Sequence, residues 1–437
     1  MAREMRDSGI EWIGEIPSTW SIQRMKNCIA SRQSGAWGDD ATGETGDAIC
    51  LRIADFDYAR FRFKETPVEE LTVRHYAQDV IERLKLAKGD ILIEKSGGGE
   101  KTPVGRTVIF DKDYTALYAN FMDCLRCTSA VYPQFMQYVF VTFYKNDYSR
   151  NYIKQTTGIQ NLDLTAMLAT EVVATPPIDE QICIASFLDR KCAEIDSAIA
   201  DTQRTIEEYK KLKQTIITEA VTKGIRGERP MKDSGIEWIG EIPEDWDIKK
   251  GKWILSLLDQ PVFQDDGVIT CFRDGEVTLR SKRREDGFTI SLQEAGYQGI
   301  NVGDLVVHGM DGFAGAIGIS DSRGKGTPVL NVLDSTQNKR YIMYYLRSMA
   351  YNGVFLALAT GIRVRSCDTN WNKLKELPYP KPSIDEQEEI ASFIDNNIQL
   401  LDELIEKKET LLIELESYKK SVIYEYVTGK KEVPACQ

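Results

Sequence analysis

Histidine is nearly absent: the 437-residue chain has two, His75 and His308. Neither has a recognisable nucleophile partner in sequence, so no frame for covalent hydrolysis is visible. With so few histidines, the lone Cys124-Leu-Arg-Cys127 has no second pair at zinc-finger spacing and gives a metal site little support. Nine cysteines scattered without a spacing pattern read as reduced thiols rather than a disulfide frame. No apolar run approaches the roughly 20 residues that would span a bilayer. The opening MAREMRDSG lacks the apolar core of a signal peptide, and a cytoplasmic chain is expected. No NPPY-type or FxGxG-type methyltransferase motif occurs. Gly97-Gly98-Gly99 follows a strand-like run, but Glu100, Thr102 and Pro103 do not continue it as a phosphate cradle, so it reads as a glycine hinge in a surface loop. Glu208-Tyr-Lys210 and Glu406-Lys-Lys408 have the form of an acidic-x-Lys nuclease end. Both fall inside long helical stretches, where they read as solvated charge. What remains is a binding and organising protein with no chemistry of its own.

What is present is a duplication. Residues 7–17 and 233–243 both read DSGIEWIGEIP, offset by 226, and Trp20 and Trp246 follow at matching places. A second set recurs at an offset of 206: IDEQ at 178–181 and 384–387, ASFLD at 185–189 against ASFID at 391–395, and EAVT at 219–222 against EYVT at 425–428. A unit that keeps both ends while its middle drifts is a tandem duplication with a variable insert. Faint likeness survives in the middles, where Thr157-Gly158-Ile159 and Thr360-Gly361-Ile362 both lie near the domain end.

The length suits roughly three domains, and the composition (42% apolar, 28% charged) is that of a folded protein. Six segments are expected: a strap at 1–20, a domain at 21–177, a long helix at 178–228, a second strap at 229–246, a second domain at 247–382, and a closing helix at 383–437. Net charge is -12, but it is unevenly spread. Residues 383–437 carry 6 Lys/Arg against 13 Asp/Glu, whereas 247–382 carry 18 against 15. If any part meets phosphate, it is the middles.

The straps are punctuated by Gly9, Gly14 and Pro17 and cannot form a long helix. Their apolar residues suit packing on a neighbouring domain. The first middle carries β-prone runs at Ala48–Ile53, Asp90–Glu94, Gly105–Phe110 and Leu117–Leu125, then a helical stretch at Pro133–Lys145. The second carries Val268–Arg273, Leu305–His308, Ala316–Ser320 and Pro328–Leu333. Both are expected to be mixed α/β (α+β) domains.

Residues 178–223 contain neither glycine nor proline, which predicts a helix of about 69 Å. Leu188, Ile195, Thr202, Tyr209 and Ile216 fall seven apart along it, with Thr202 the weak point of the stripe. Ser383 with Glu386 predicts a capping box at the start of the second long helix, and Gly429 its end. Ile394, Leu401, Leu415 and Val422 form its stripe, interrupted by Lys408. Two equal helices with one apolar stripe each bury them most simply against each other. A duplicated unit pairing with itself through a pseudo-two-fold axis makes them antiparallel.

Binding residues concentrate in the middles. Lys95, Ser96, Lys101 and Arg106 surround the glycine loop, and Gln155, Thr156, Thr157, Gln160 and Asn161 form a polar loop. In the second middle Arg280, Lys282, Arg283 and Arg284 form a basic cluster, His308 ends a strand, and Arg363 and Arg365 alternate after Thr360-Gly361-Ile362. These side-chain types read base edges or clamp phosphates.

In combination, the DSGIEWIGEIP strap, the IDEQ and ASFLD/ASFID helix starts, the EAVT/EYVT helix ends and the KSGGGEKTPVGR and GMDGFAGAIG loops resemble the specificity subunit of Type I restriction-modification systems. The resemblance spans nearly the whole chain. It implies two target-recognition domains separated by two long antiparallel coiled-coil helices. Each domain would read half of a bipartite, asymmetric DNA target, at major grooves about one turn, ~34 Å, apart. The helices would set the unread spacer. It also implies partners: two modification (methyltransferase) subunits and the restriction (translocase-nuclease) subunits. S-adenosylmethionine, ATP and Mg would belong to those partners, with no cofactor in this chain. A non-catalytic coiled-coil scaffold with two protein-binding heads is the rival from another class.

Overall fold

A computed structural model describes residues 3–156, 158–284, 295–358 and 369–434. The chain divides into two compact units: Met1–Gln203 with Thr410–Gln437, and Arg204–Glu409. Each unit holds a strap, a mixed α/β domain, the start of the long helix that follows that domain, and the end of the other long helix. The class is mixed helix and strand, as the alternation of β-prone runs and helical stretches predicts.

The strap is a small hairpin. In the first unit Met5–Asp7 pairs antiparallel with Glu15–Pro17, and in the second Met231–Asp233 pairs with Glu241–Pro243. Its turn accounts for the repeated DSG. Gly9 N–H donates to the Asp7 carboxylate (2.9 Å) and Ile10 N–H to Ser8 Oγ (3.0 Å). Gly235 and Ile236 make the same bonds to Asp233 and Ser234. Gly9 and Gly235 have φ of 66° and 72°, a conformation that costs glycine nothing.

In the first unit a six-stranded sheet runs in the order Ile29–Ser34, Met122–Cys127, Ile91–Glu94, Thr107–Ile109, Arg62–Phe63, Phe56–Asp57. A four-stranded sheet (Ala116–Tyr118, Asp47–Leu51, Val73–His75, Asp39–Asp40) and a three-stranded one (Ser96–Gly97, Ile159–Leu162, Ile153–Thr156) accompany it. The expected single strand Leu117–Leu125 is broken. Met122 N–H bonds back to Ala119 O (3.2 Å), so Ala119-Asn120-Phe121 is a turn and the halves join different sheets. In the second unit Leu255–Leu257, Leu330–Ser335, Leu305–His308 and Ile317–Ile319 form a four-stranded antiparallel sheet.

Each domain contains an aromatic helix of 13 residues, Pro133–Lys145 in the first and Lys339–Tyr351 in the second. The long helices span Ile178–Lys223 and Ile384–Val427. Gly224 and Gly429 close them at φ 75° and 72°, the left-handed geometry of a helix C-terminus. One core in the first unit joins strap residues Ile16 and Trp20, Phe135 and Phe140 of the aromatic helix, Leu188 of the first long helix, and Val422 and Val427 of the second. The second unit repeats it with Ile242 and Trp246, Tyr341 and Tyr345, Ile394, and Ile217 and Val221. The start of one long helix thus meets the end of the other within each unit, an antiparallel arrangement. The stripe follows the expected row through Leu188, Ile195 and Thr202 but reaches Ile217 rather than Ile216, the drift of a 3.6-residue helix against a seven-residue repeat. Thr202 is buried without loss, its hydroxyl donating to Ala198 O (2.7 Å).

One further expectation fails. The capping box at Ser383 is half made: Glu386 N–H donates to Ser383 Oγ (3.3 Å), but the Glu386 carboxylate turns to Arg229 and Trp246. Two strong donors draw it away from the helix terminus. Cys28, Cys50, Cys124, Cys127, Cys192 and Cys271 are free.

Candidate nucleic-acid interface

The repeated ends build a mount on which each domain sits. In IDEQ, the glutamate holds the strap. Glu180 accepts from Arg3 (2.6 Å) and Trp20 Nε1 (3.2 Å), and Glu386 from Arg229 (2.6 Å) and Trp246 Nε1 (3.1 Å). The glutamine holds the aromatic helix. Gln181 Oε1 accepts from Tyr132 N–H and Gln387 Oε1 from Asn338 N–H, each residue being the cap before that helix. In ASFLD and ASFID the aspartate takes a tyrosine of the same helix: Tyr138 to Asp189 at 2.8 Å, and Tyr344 to Asp395. Asp196 pairs with Lys419 (2.6 Å) and Lys213 with Asp402 (2.5 Å), images of each other at the 206-residue repeat. The ends recur because the joint recurs.

The expected binding residues of the first unit converge in part. Ser96 and Asn161 face each other across the three-stranded sheet, Ser96 Oγ donating to Asn161 Oδ1 (2.7 Å), and Gln155 lies on the adjoining strand opposite Gln160. Lys101 is exposed and lines a cleft of about 430 Å³ with Tyr144 and Arg150. Three others are committed to the fold. Arg106 makes two bonds to the buried Glu94 (2.7 and 3.0 Å) and stacks 3.6 Å over Tyr58. Burial pushes the Glu94 carboxyl up against the pull of Arg106. Lys95 donates to Asp123 (2.7 Å) and Ser34 (2.8 Å). Although burial opposes it, the bonds from Lys95, Arg32 and Ser34 hold Asp123 below the usual carboxylate range. Gln160 is buried and braces the glycine loop by accepting from Val104 N–H (3.2 Å). That loop is a closed turn rather than an open hinge, with Gly99 and Thr102 exchanging backbone bonds.

In the second unit Arg280–Arg283 is a one-turn helix. Arg280 donates to Thr270 (3.0 Å), and Lys282 to Ser322 (2.6 Å) and Asp321 (3.3 Å). Arg283 reaches Asp274 and Glu276 (both 2.6 Å) and lies 4.0 Å over Phe272, with Arg284 on the same ring. His308 accepts at Nδ1 from the N–H groups of Asp311 (3.0 Å) and Met310 (3.3 Å). Burial lowers its pKa, so the neutral ring keeps Nε2–H as a donor. Arg273 pairs with Asp311 (2.9 Å) beside it. Thr157, Arg363 and Arg365 lie outside the described residues.

Two features escape the sequence reading. Trp37 is 41% exposed and Phe121 49% exposed. Both line a cleft of about 460 Å³ with Arg52 and Asn120. In the second unit Phe263 is 60% exposed. Each unit backs its exposed ring with an arginine held by an aspartate: Arg74 over Trp37 (4.8 Å), paired with Asp40, and Arg323 over Phe263 (4.6 Å), paired with Asp266. The glycines that bracket Trp37 in Ser34-Gly-Ala-Trp-Gly38 were the available signal. Among the described residues no group of His, Cys, Asp and Glu could hold a metal, and no helix is long and apolar enough to cross a membrane.

No family model matches the chain. It is 22% identical over 437 residues to the putative type I restriction enzyme MjaX specificity subunit of Methanocaldococcus jannaschii, covering 96% of each chain. It is 24% identical over 314 residues to the MjaVIII specificity subunit of the same organism, covering 67% of this chain and 70% of that one. Among solved structures, a chain from a type I R-M system described for its assembly and conformational transition superposes with a TM-score of 0.67 at 12% identity, covering 95% and 99%. The HsdS subunit from Thermoanaerobacter tengcongensis gives 0.52 at 12% identity, covering 95% and 98%.

Proposed function

Since this chain is related along nearly its whole length to type I restriction enzyme specificity subunits and has the fold of an HsdS subunit, we propose that it is the DNA-recognition subunit of such a complex. Each unit reads one half of a bipartite, asymmetric duplex target. The long helices set the spacer between the halves and dock two modification subunits, to which restriction subunits add. The chain itself is non-catalytic and acts in the cytoplasm; S-adenosylmethionine, ATP and Mg serve the partners.

The observation that carries this reading is the mount. Strap, helix start and helix end are held by the same residues in both units, while the domains they carry differ in sheet composition and surface. Identical mounts suit identical partners, and different domains suit different half-sites. Lys101, Gln155 and Asn161 lie exposed in the first unit, and Lys282, Arg283 and Arg284 in the second, where Lys282 and Arg283 already hold acidic partners. Lys95, Arg106 and Gln160 act by holding that surface in shape.

Binding of the purified chain with its modification subunits to duplex DNA tests the proposal. The expected result is preference for one split sequence, with affinity falling steeply as salt rises because phosphate contacts release counterions. Binding that ignores both sequence and salt, or that occurs only with another protein, would leave the chain a scaffold.

A further inference from the structure

The sequence of the first unit places a tryptophan between two glycines, and the structure explains both. A Cβ on Gly35 would lie 2.3 Å from Ala119 O and 2.5 Å from Tyr118 O. Only glycine lets this segment approach the Ala119–Phe121 turn, where Gly35 N–H bonds to Met122 O and Ala36 N–H to Tyr118 O (both 3.1 Å). Gly38 has φ of 72°. Tyr76 Oη donates to the Trp37 carbonyl (3.2 Å), as does Arg74 Nε (3.3 Å). Trp37 is therefore an exposed ring on a fixed backbone. Phe121 is fixed opposite, its carbonyl accepting from Lys95 (2.9 Å) and Ser96 (3.3 Å) N–H. Asn120 lines the cleft between them, and its amide has no hydrogen-bond partner among the described residues.

We propose that this cleft reads an A·T base pair through its major-groove edge. Asn120 takes adenine N6 and N7, and Phe121 with Trp37 covers the thymine 5-methyl. An asparagine amide is the side-chain match for adenine in the major groove, and apolar side chains match the thymine methyl. The second unit holds Phe263 on Arg323 in the same manner with a different residue, as two readers of different half-sites would. This inference rests on the DNA-recognition reading above.

The test maps methylated motifs in cells carrying this chain with its modification and restriction subunits, as wild type and as Asn120→Ala. The wild type should give a split motif. Asn120→Ala should relax one A·T position in one half, with discrimination there falling about 5- to 150-fold. The other half should stay intact and so serve as the folding control. Replacing that thymine by deoxyuridine in a synthetic duplex should weaken binding to the wild-type complex and leave Phe121→Ala indifferent. 7-Deaza-adenine at the same pair checks Asn120 without any substitution in the protein. An Asn120→Ala motif unchanged at every position, a relaxed G·C position, or insensitivity to both base analogues would overturn this inference and leave DNA recognition standing. A wild type with no split motif would overturn the recognition reading and this inference with it.

Discussion

Replacing Glu386 by alanine should destabilise the second unit more than Glu180→Ala destabilises the first, although the two residues hold the same place in the repeat. Glu386 is 1% exposed at its side chain, and it pairs with Arg229, itself mostly buried. Its carboxylate receives two bonds, from Arg229 (2.6 Å) and the Trp246 indole (3.1 Å). Truncation strands the guanidinium and the indole N–H together. Breaking a buried pair by removing one partner costs about 3–5 kcal/mol. Asp245, 3.7 Å from Arg229, offers partial relief, so about 3 kcal/mol is expected. Glu180 is 27% exposed and its partner Arg3 is 23% exposed. Water replaces much of that pair, and about 1–2 kcal/mol is expected. Because the units need not unfold together, the assay is amide hydrogen exchange read separately in each aromatic helix, Pro133–Lys145 and Lys339–Tyr351. Equal losses, or a larger loss from Glu180→Ala, would refute the view that burial of the glutamate sets the strength of the joint.

Other outcomes follow from the same contacts. Lys419→Met removes a nearly buried ammonium from Asp196 and from Ala59 O (both 2.6 Å) and should cost about 2–3 kcal/mol. Lys213→Met breaks its more exposed image and should cost under about 1 kcal/mol; urea midpoints of the two variants compare them. Asp123 has a depressed carboxyl pKa in the fold, so its contribution is complete above the ordinary carboxylate value and is lost as pH falls through the depressed one. Lys95→Met should raise that pKa and shift acid unfolding, followed by circular dichroism, to higher pH. Gly429→Ala would place a Cβ 2.5 Å from Pro17 and 3.1 Å from Trp20 at φ 72°. A loss of about 1–3 kcal/mol is expected, visible as a lower thermal midpoint.

Much of the framework was legible because it rests on local rules. A run of 46 residues without glycine or proline, ended by Gly224, can hardly be anything but a helix, and the repeats marked its counterpart. The duplicated motifs showed that something was held twice. What they hold was not legible, since Glu386 with Trp246 and Gln387 with Asn338 are meetings of distant segments. The turn at Asn120 was missed because only Asn120 and Asp123 interrupt the apolar and aromatic run Leu117–Leu125, and periodicity cannot place a break in it. At the candidate interface, sequence could nominate basic and amide side chains but could not tell which are spent inside. Arg106 and Glu94 are 12 residues apart and face each other only because their strands are neighbours. Exposed aromatics were overlooked for the converse reason: Trp37 and Phe263 look like core residues until the fold leaves them outside.

The most direct test of the central claim exchanges residues 247–382 for the corresponding domain of another specificity subunit, with methylated adenines then mapped genome-wide in the presence of the partner subunits. The account predicts a split motif in which one half changes, while the other half stays as in the parent. A motif that changes in both halves, or adenine methylation that does not depend on this chain at all, would contradict it.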